Sequence, residues 1–545
     1  MKKIVLFLVS CFLLGQAFGQ LSGTKTVCTG GDYPTIAAAV TALNASGVGA
    51  GGVTFNVCAG HTESSGSPIT INSTVIGTSG NPIVFQKSGS GANPLVTRTD
   101  AGSNTTSGLG GLGDAVIRMD GTDYITFDGI DLTASNQGIE YGYFTFKPSA
   151  TNGCQNVTIK NANITMTKGT SAYVIGIYLS NGPTSLSSAT GVTVTATSGQ
   201  NQNVIVTGNT IQNVHAGIYS RGSSATGLYD NNIVIGQSGA GNILQNFGGG
   251  SATTTYGVYF IYVTDPTASY NIVNNAGGGG TAHGSILYGI YFTSVTGNVT
   301  GNNNTVTLAN NSATSSSNGI YTASGVTSIT FNNNTFSTGT LSSTGSVYLI
   351  CASSSTPSVT ITGNQTSGTI TRTGASGTIY CYYNAGGPAS GLETITNNNF
   401  SNITVTGIST TYGIYSFTAT GQNRTCSNNT ISNWSGATGA KYGLYLLSST
   451  TNQINNNTVT SFTAGGNVYG LYFSGTNPSV YQNSISNLTT TGATLYGIYD
   501  AGTGTTNCYR NQVFNLNSDN TNPTLYGFYV TTGTSNNVYN NFGSL

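Results

Sequence analysis

Charge is nearly missing from this sequence. Its 545 residues include 14 Lys+Arg and 14 Asp+Glu, which is 5% charged with no net charge, where a typical soluble domain is about 25% charged. So sparse a balance excludes the basic footprint of a nucleic-acid binder and any electrostatic pull toward an anionic membrane. Beyond the N-terminus there is no long apolar run, so no membrane-spanning helix is predicted. Long helical stretches are lacking, which excludes helical repeats, and the Leu framework of leucine-rich repeats is absent. Disorder is excluded because aromatics reach 10% without net charge. What the chain does have is 77 Gly and 32 Tyr, set among Ser, Thr and Asn, with hydrophobic residues returning at short intervals. One core stops growing near ~250–300 residues, so the chain is either several domains or an elongated solenoid, and this composition favours the solenoid.

The first residues read as a signal peptide, residues 1–19. Lys2 and Lys3 form its positive end, Ile4 to Leu14 its apolar stretch, and Ala17-Phe18-Gly19 the small residues before a cut at Gln20. A lipoprotein reading of Leu8-Val9-Ser10-Cys11 competes, but the apolar run continues past Cys11 through Leu14. The expected location is secreted or cell surface.

From about residue 170 one pattern recurs. A Gly-apolar-Tyr strand appears at Gly176-Ile177-Tyr178 and Gly217-Ile218-Tyr219, and is still present at Gly470-Leu471-Tyr472 and Gly497-Ile498-Tyr499. Tyr348 and Tyr380 mark weaker copies. Later spacings fall mostly near 27–35 residues, a solenoid period. Each copy continues as strand, Asn, strand, with the Asn at 209, 304, 334, 364, 398, 429, 457, 483 and 511. Asn tolerates the left-handed conformation of a corner, and stacked Asn amides can bond as a ladder. Coils of about 30 residues with three short strands match an all-β, right-handed parallel β-helix. About a dozen coils at ~4.8 Å make a rod of roughly 55–60 Å. The closing "NVYNNFGSL" stops in mid-pattern. Open strand edges there call for a continuation or a partner to cover them.

Residues 20–115 read as an N-terminal cap with the first coils, and 116–545 as the repeats. In "DYPTIAAAVTALNAS", Ile36, Ala39, Val40 and Leu43 share one helical face, with Asp32 as its cap and Pro34 in the first turn. "GVTFNVCAG" follows as a strand. This order resembles the opening segment of pectin-lyase-like β-helix proteins, including pectin methylesterases, and implies a helix plugging the first coil. "DYITFDGIDLTAS" resembles a coil with Asp128 where later coils use Asn. Nearly the whole chain resembles the large secreted β-helix surface proteins of Bacteroidetes-type bacteria. The paired Asp, Gln and Arg pattern of the methylesterases and the aspartate motifs of polygalacturonases find no residue-by-residue match.

Seven cysteines follow the signal. Cys28 and Cys58 flank the cap helix and can bridge. Cys426 and Cys508 share a register three coils apart, about 14 Å, beyond the ~7 Å a disulfide spans. Cys351 and Cys381 are one coil apart but offset by two positions, about 8 Å, so these four read as small core residues.

Glycoside hydrolysis needs two carboxyls ~5–10 Å apart, and the later carboxylates are too scattered to pair with one another. The catalytic candidates are therefore Asp114, Arg118, Asp120, Asp123, Asp128 and Asp131, whose plainer role is in corners and caps of the first coils. His61, His215 and His283 occupy unrelated contexts, so no metal site is expected. No cofactor is expected either; calcium is the one ion that the acidic ligands of lyases of this fold would admit. Strict alternation turns the apolar centre of Gly-apolar-Tyr inward, and Tyr outward on the side of the Gly, which its ring then covers. The opposite assignment exposes the first Tyr of "YGIY" instead. Tyr415, Tyr445, Tyr472, Tyr499 and Tyr529 would form an outer stripe, either shielding the strand or contacting a ligand. Two functions follow. One is a non-catalytic surface or adhesive protein that meets polysaccharide or cell-surface glycan; the other is a lyase, hydrolase or esterase working near the early acidic coils. Ice binding fits less well, because Thr does not repeat in one register.

Overall fold

The computed structural model describes residues 19–102, 114–169, 173–182, 191–249, 253–387, 390–417, 421–447, 451–492 and 494–544. The expected signal peptide up to Phe18, with Cys11, lies outside them, as does the final Leu545. The chain is a parallel β-helix, 57% strand and 3% helix, of about 16 turns. That is more than the dozen read from the sequence, because coils before residue 170 share the fold without the Gly-apolar-Tyr signature. At ~4.8 Å per coil the rod is about 75 Å long.

One coil shows how the sequence makes the turn. Thr410–Phe417 forms one face, Gln422–Ser427 the second and Thr430–Gly436 the third. Lys441–Leu447 then lies parallel on Thr410–Phe417, with Tyr412 opposite Tyr442 and Ile414 opposite Leu444. Inward side chains stack on their equivalents, so one continuous core runs from Val27 to Leu516. A chain of this length keeps a narrow core because each coil meets only its neighbours.

The helix Ile36–Ser46 plugs the start of the rod. It buries Ile36, Ala39, Val40 and Leu43, the face expected from the periodicity. Its capping differs from expectation. Thr35 is the N-cap, its Oγ1 accepting from Ala38 N at 3.0 Å. Asp32 instead accepts from Thr26 N at 2.7 Å, and Pro34 lies just before the cap. A carboxylate from the next coil, Glu63, takes the free amides of Ile36 and Ala37 at 2.5 and 3.1 Å, where an anion favours the helix dipole. Cys28 and Cys58 are bonded, with Cα atoms 5.8 Å apart. Cys154, Cys351, Cys381, Cys426 and Cys508 are free and buried, and Cys426, Ile454, Val480 and Cys508 share one register.

The asparagine ladder is the vertical seam. Each rung donates its backbone N–H and its Nδ2 to Oδ1 of the rung in the next coil, as Asn429 does to Asn457 at 3.0 and 2.9 Å. Nδ2 also reaches back to a backbone carbonyl of the preceding coil, Ile395 O for Asn429. The seam includes Asn242, Asn271 and Asn541 as well. Two expectations change. The left-handed residue is the one before most rungs, such as Asn333, Asn428 or Asn456, so the rung is chosen for its amide and its neighbour for the bend. Asp128 is not a rung. It pairs in register with Lys160, and Lys160 with Thr207, two places before the ladder, and buried Ile130 holds the rung position of its coil.

Candidate functional site: a paired tyrosine ladder

On the face formed by Thr410–Phe417 and its equivalents, alternation fails at one point. In Tyr412-Gly413-Ile414-Tyr415, both Gly413 and Ile414 are buried while both tyrosines are half-buried. Gly413 turns toward the core, where a Cβ would meet Gly443 O at 2.5 Å and the Ile431 side chain at 2.9 Å. The glycine is there because the coil above and the core leave no room for a side chain, not because a ring covers it. With two successive residues inward, Tyr412 and Tyr415 emerge on the same side. The single expected stripe is therefore double: Tyr380, Tyr412, Tyr442, Tyr469, Tyr496 and Tyr526 in one column, Tyr383, Tyr415, Tyr445, Tyr472, Tyr499 and Tyr529 in the other.

Within a column the rings stack. Tyr442 lies 4.6 Å from Tyr412 at 11° and 4.7 Å from Tyr469 at 8°; Tyr472 lies 4.7 Å from Tyr445 and 4.6 Å from Tyr499. Between columns the rings cross, at 83° for Tyr412 and Tyr415 and 77° for Tyr442 and Tyr445. Coil spacing explains this herringbone. Rings repeating every ~4.8 Å reach contact near ~3.5 Å only by tilting about 43° from the axis. Opposite tilts in the two columns then cross at roughly 86°, close to the angles observed. Stacked and edge-to-face arrangements are the two that aromatic quadrupoles favour.

The same packing decides what the ladder offers to a ligand. Interior rings have both faces occupied by neighbours, so ring edges and hydroxyls face outward. The hydroxyls of Tyr412, Tyr442, Tyr445, Tyr469, Tyr472 and Tyr499 neither bond to the protein nor count among its buried unpartnered atoms, so they open to solvent. Burial, then neighbouring tyrosines, pushes Tyr445 and Tyr469 up to about 12. At neutral pH the face is an uncharged grid of O–H groups, each able to donate and accept.

The early acidic residues are distributed around the coil. Asp114 pairs with Arg98 at 3.0 Å. Arg118 pairs with Asp120 at 2.5 Å and lies 4.0 Å over the Phe146 ring. These belong to the tyrosine face, whose equivalent strand here is Ala115–Asp120. Asp123 lies beyond, accepting Gln155 N at 2.8 Å, and burial raises its carboxyl to about 6. Asp128 meets Lys160 at 3.0 Å on the second face, and Asp131 accepts Asn163 N at 2.7 Å on the third. Arg118 and Asp120 are thus brought together, and Asp128 and Asp131 are held apart from them. Among the described residues no group of three or more His, Cys, Asp or Glu could hold a metal ion, and no helix is long and apolar enough to cross a membrane.

No protein-family model matches the chain, and no curated protein matches it. Solved structures do resemble it. A lacto-N-biosidase from Eubacterium ramulus is 12% identical over 75% of this chain and 67% of that one, with a TM-score of 0.38. PfbA, a surface adhesin of Streptococcus pneumoniae, is 12% identical over 78% and 85%, at 0.35. An alginate lyase from Paenibacillus sp. is 13% identical over 63% and 94%, at 0.29. At these identities and scores no activity passes from them to this chain.

Sequence reasoning missed two polar clusters inside the rod. Glu393 accepts from Tyr382, Asn384, Ser416 and Arg424 at 2.6 to 2.8 Å. Burial pushes its carboxyl up, but Arg424, Ser416 and Tyr382 together bring it below the ordinary value. Lys147 bonds Asp230 in the same way, beside Asn181 and Asn201. A buried charge must be paired to persist, so these clusters hold coils together and do not present chemistry at the surface. The signal available was a Ser or Asn just after the second tyrosine, as at Ser220, Asn384 and Ser416.

Proposed function

We propose that this chain is an exported, non-catalytic surface protein that adheres to neutral polysaccharide through the paired tyrosine ladder. The observation that carries this is the regular grid of unpartnered tyrosine hydroxyls on the late coils. A glycan chain laid along such a grid meets a donor and acceptor at every coil and no charge to repel or desolvate. Recognition then uses the hydroxyls and ring edges rather than ring faces. The test is pull-down of residues 20–545 on insoluble cellulose, chitin and mannan. Replacing Tyr442, Tyr469 and Tyr496 together by Phe keeps the stack and removes three hydroxyls. At ~1 kcal/mol per hydrogen bond, the loss of three should lower affinity roughly a hundredfold. Unchanged binding by the triple variant, or none by the parent, rejects the reading.

A second reading rests on Asp123, whose carboxyl burial raises to about 6 in the same coil as Arg118 and Asp120. It makes the early coils, with Asp114, Asp128 and Asp131 around them, a polysaccharide lyase, hydrolase or esterase site. New reducing ends or unsaturated products that vanish with Asp123→Asn or Asp120→Asn would establish it; no turnover on the same polysaccharides removes it.

A further inference from the structure

One buried lysine stands between an amide and an acid. Lys147 follows the strand Tyr141–Phe146, and Asn181 follows Ile175–Leu179 in the next coil. Thr145 pairs in register with Leu179, so Lys147 and Asn181, each two residues further on, are stacked one coil apart. Lys147 Nζ donates to Asn181 Oδ1 at 3.2 Å and also to Asp230 Oδ1, at the start of the strand Asp230–Ile235. Lys147 and Asp230 are fully buried and Asn181 is 6% exposed. Asn181 Nδ2 donates to Val192 O at 3.1 Å, which orients the amide. Asp230 accepts from Asn201 N and Nδ2, both at 2.9 Å. The adjacent Thr145, Leu179 and Ser180 are fully buried as well, so bulk water is excluded.

Amine, amide and carboxyl in one enclosed site are the groups of an acyl transfer. Lysine becomes a nucleophile once a neighbouring base holds its proton, and fixed geometry replaces the chance meeting of the reacting groups. Burial is the largest influence on Asp230 and leaves its carboxyl above the ordinary value, although Lys147 and Asn201 oppose it. A neutral amine beside a neutral acid therefore competes with the ion pair here. The rod contains its own control. Arg424 donates to Glu393 at 2.8 Å and to Asn452 Oδ1 at 3.1 Å, the same three groups with arginine in place of lysine. A guanidinium does not give up its proton, so that cluster stays an ion pair.

We propose that Lys147 and Asn181 join in an isopeptide bond, with Asp230 as the base. Asp230 takes a proton from the ammonium, the freed Nζ lone pair attacks Cγ of Asn181, and the Cγ–Nδ2 bond breaks. Of the hydrogens on the ammonium and the amide, three leave in ammonia, one stays on the new amide nitrogen and one on Asp230. The balance needs no oxidant and no co-reactant. The product replaces a buried charge pair by a neutral amide and a neutral acid, and ties two successive coils covalently. This goes beyond the adhesive reading and does not depend on it.

The test is the intact mass of folded residues 20–545 beside that of Lys147→Arg, which keeps a cation next to Asp230. The parent should fall further below its sequence mass than the variant does, by one ammonia or about 17 Da. Peptide sequencing should then find Lys147 joined to Asn181. Cyclisation at Gln20 or at Asn181-Gly182 also releases ammonia, but it persists in Lys147→Arg and cancels in the comparison. Asp230→Asn keeps both reacting groups and should slow the joining at least a hundredfold, read as the joined fraction against time after synthesis. The parent and Lys147→Arg decide the matter if that variant does not fold. Equal mass deficits in the folded parent and Lys147→Arg overturn the proposal. So does a deficit of about 18 Da mapped to Lys147 and Asp230, which marks loss of water to the carboxyl instead. Undiminished joining by folded Asp230→Asn overturns the assignment of the base.

Discussion

Tyr178 and Tyr472 occupy the same position of the same strand, yet Tyr178 is 1% exposed and Tyr472 is half-open in the herringbone. The rings from Tyr141 to Tyr259 form a second buried cluster outside the main core. Those of the late coils form a surface. Coil length separates the two regions. Tyr178, Tyr219 and Tyr259 are 41 and 40 residues apart, whereas Tyr445, Tyr472 and Tyr499 are 27 apart. The longer coils carry extra chain and extra rings such as Tyr173 that close over the face; the shorter ones are little more than three strands and their corners. The same Gly-Ile-Tyr motif is therefore core in one half and surface in the other, and the connections decide which.

The strongest way to break this contrast is to delete a ring from each half. Tyr178→Ala should cost about 3–5 kcal/mol, as for other fully buried aromatics. Tyr472→Ala should cost less, about 1–3 kcal/mol, since part of its area is already wet. Hydrogen exchange at the flanking strands is the measurement, because coils of a solenoid open locally. Equal losses would mean that the early face is not sealed. Next in size is the seam that both halves share. Asn429→Ala removes the acceptor of Asn398 N and Nδ2 and should cost about 1–3 kcal/mol, again with faster exchange in that coil.

Alkaline titration compares individual rings of the two regions without mutation. Burial holds Tyr178 and Tyr219 far above the ordinary phenol range, and Tyr445 at about 12. Each folded-state value exceeds the ~10 of an unfolded tyrosine. The linked stabilisation is therefore complete below about pH 10 and is lost as pH rises through the folded values. Tyrosinate absorbance from Tyr445 and Tyr469 should grow near pH 12, with Tyr178 and Tyr219 ionising only at higher pH as their coils unfold. The smallest effect sharpens the contrast at the seam's start. Ala162 N already donates to Asn209 Oδ1 at 3.0 Å, so Ala162→Asn should add a rung and raise stability by about 1 kcal/mol, read as slower exchange near Ile164.

The seam was legible because its spacing is a property of single positions: Asn334, Asn364 and Asn398 announce themselves in any alignment of the chain with itself. The helix face from Ile36 to Leu43 was legible for the same reason, through its period. The second tyrosine column was not, because strict alternation assumes a regular pleat and Gly413 breaks it; only the carbonyl of Gly443 and the side chain of Ile431 reveal why. Arg424 with Glu393, and Lys147 with Asp230, were hidden by sequence separations of 31 and 83 residues, which no local pattern encodes.

The asparagine seam also sets how such a protein can change its length. Every rung accepts from the coil before it and donates to the coil after it, so any coil can follow any other without rewiring. Rungs recur after as few as 26 residues, from Asn457 to Asn483, and as many as 34, from Asn364 to Asn398, since the connections absorb the difference. Duplication or loss of a whole coil therefore leaves a continuous seam, whereas a fractional change leaves an amide facing the wrong neighbour. Over evolutionary time the rod should lengthen and shorten in integer steps, with its recognition surface growing in proportion and its ends carried along unchanged.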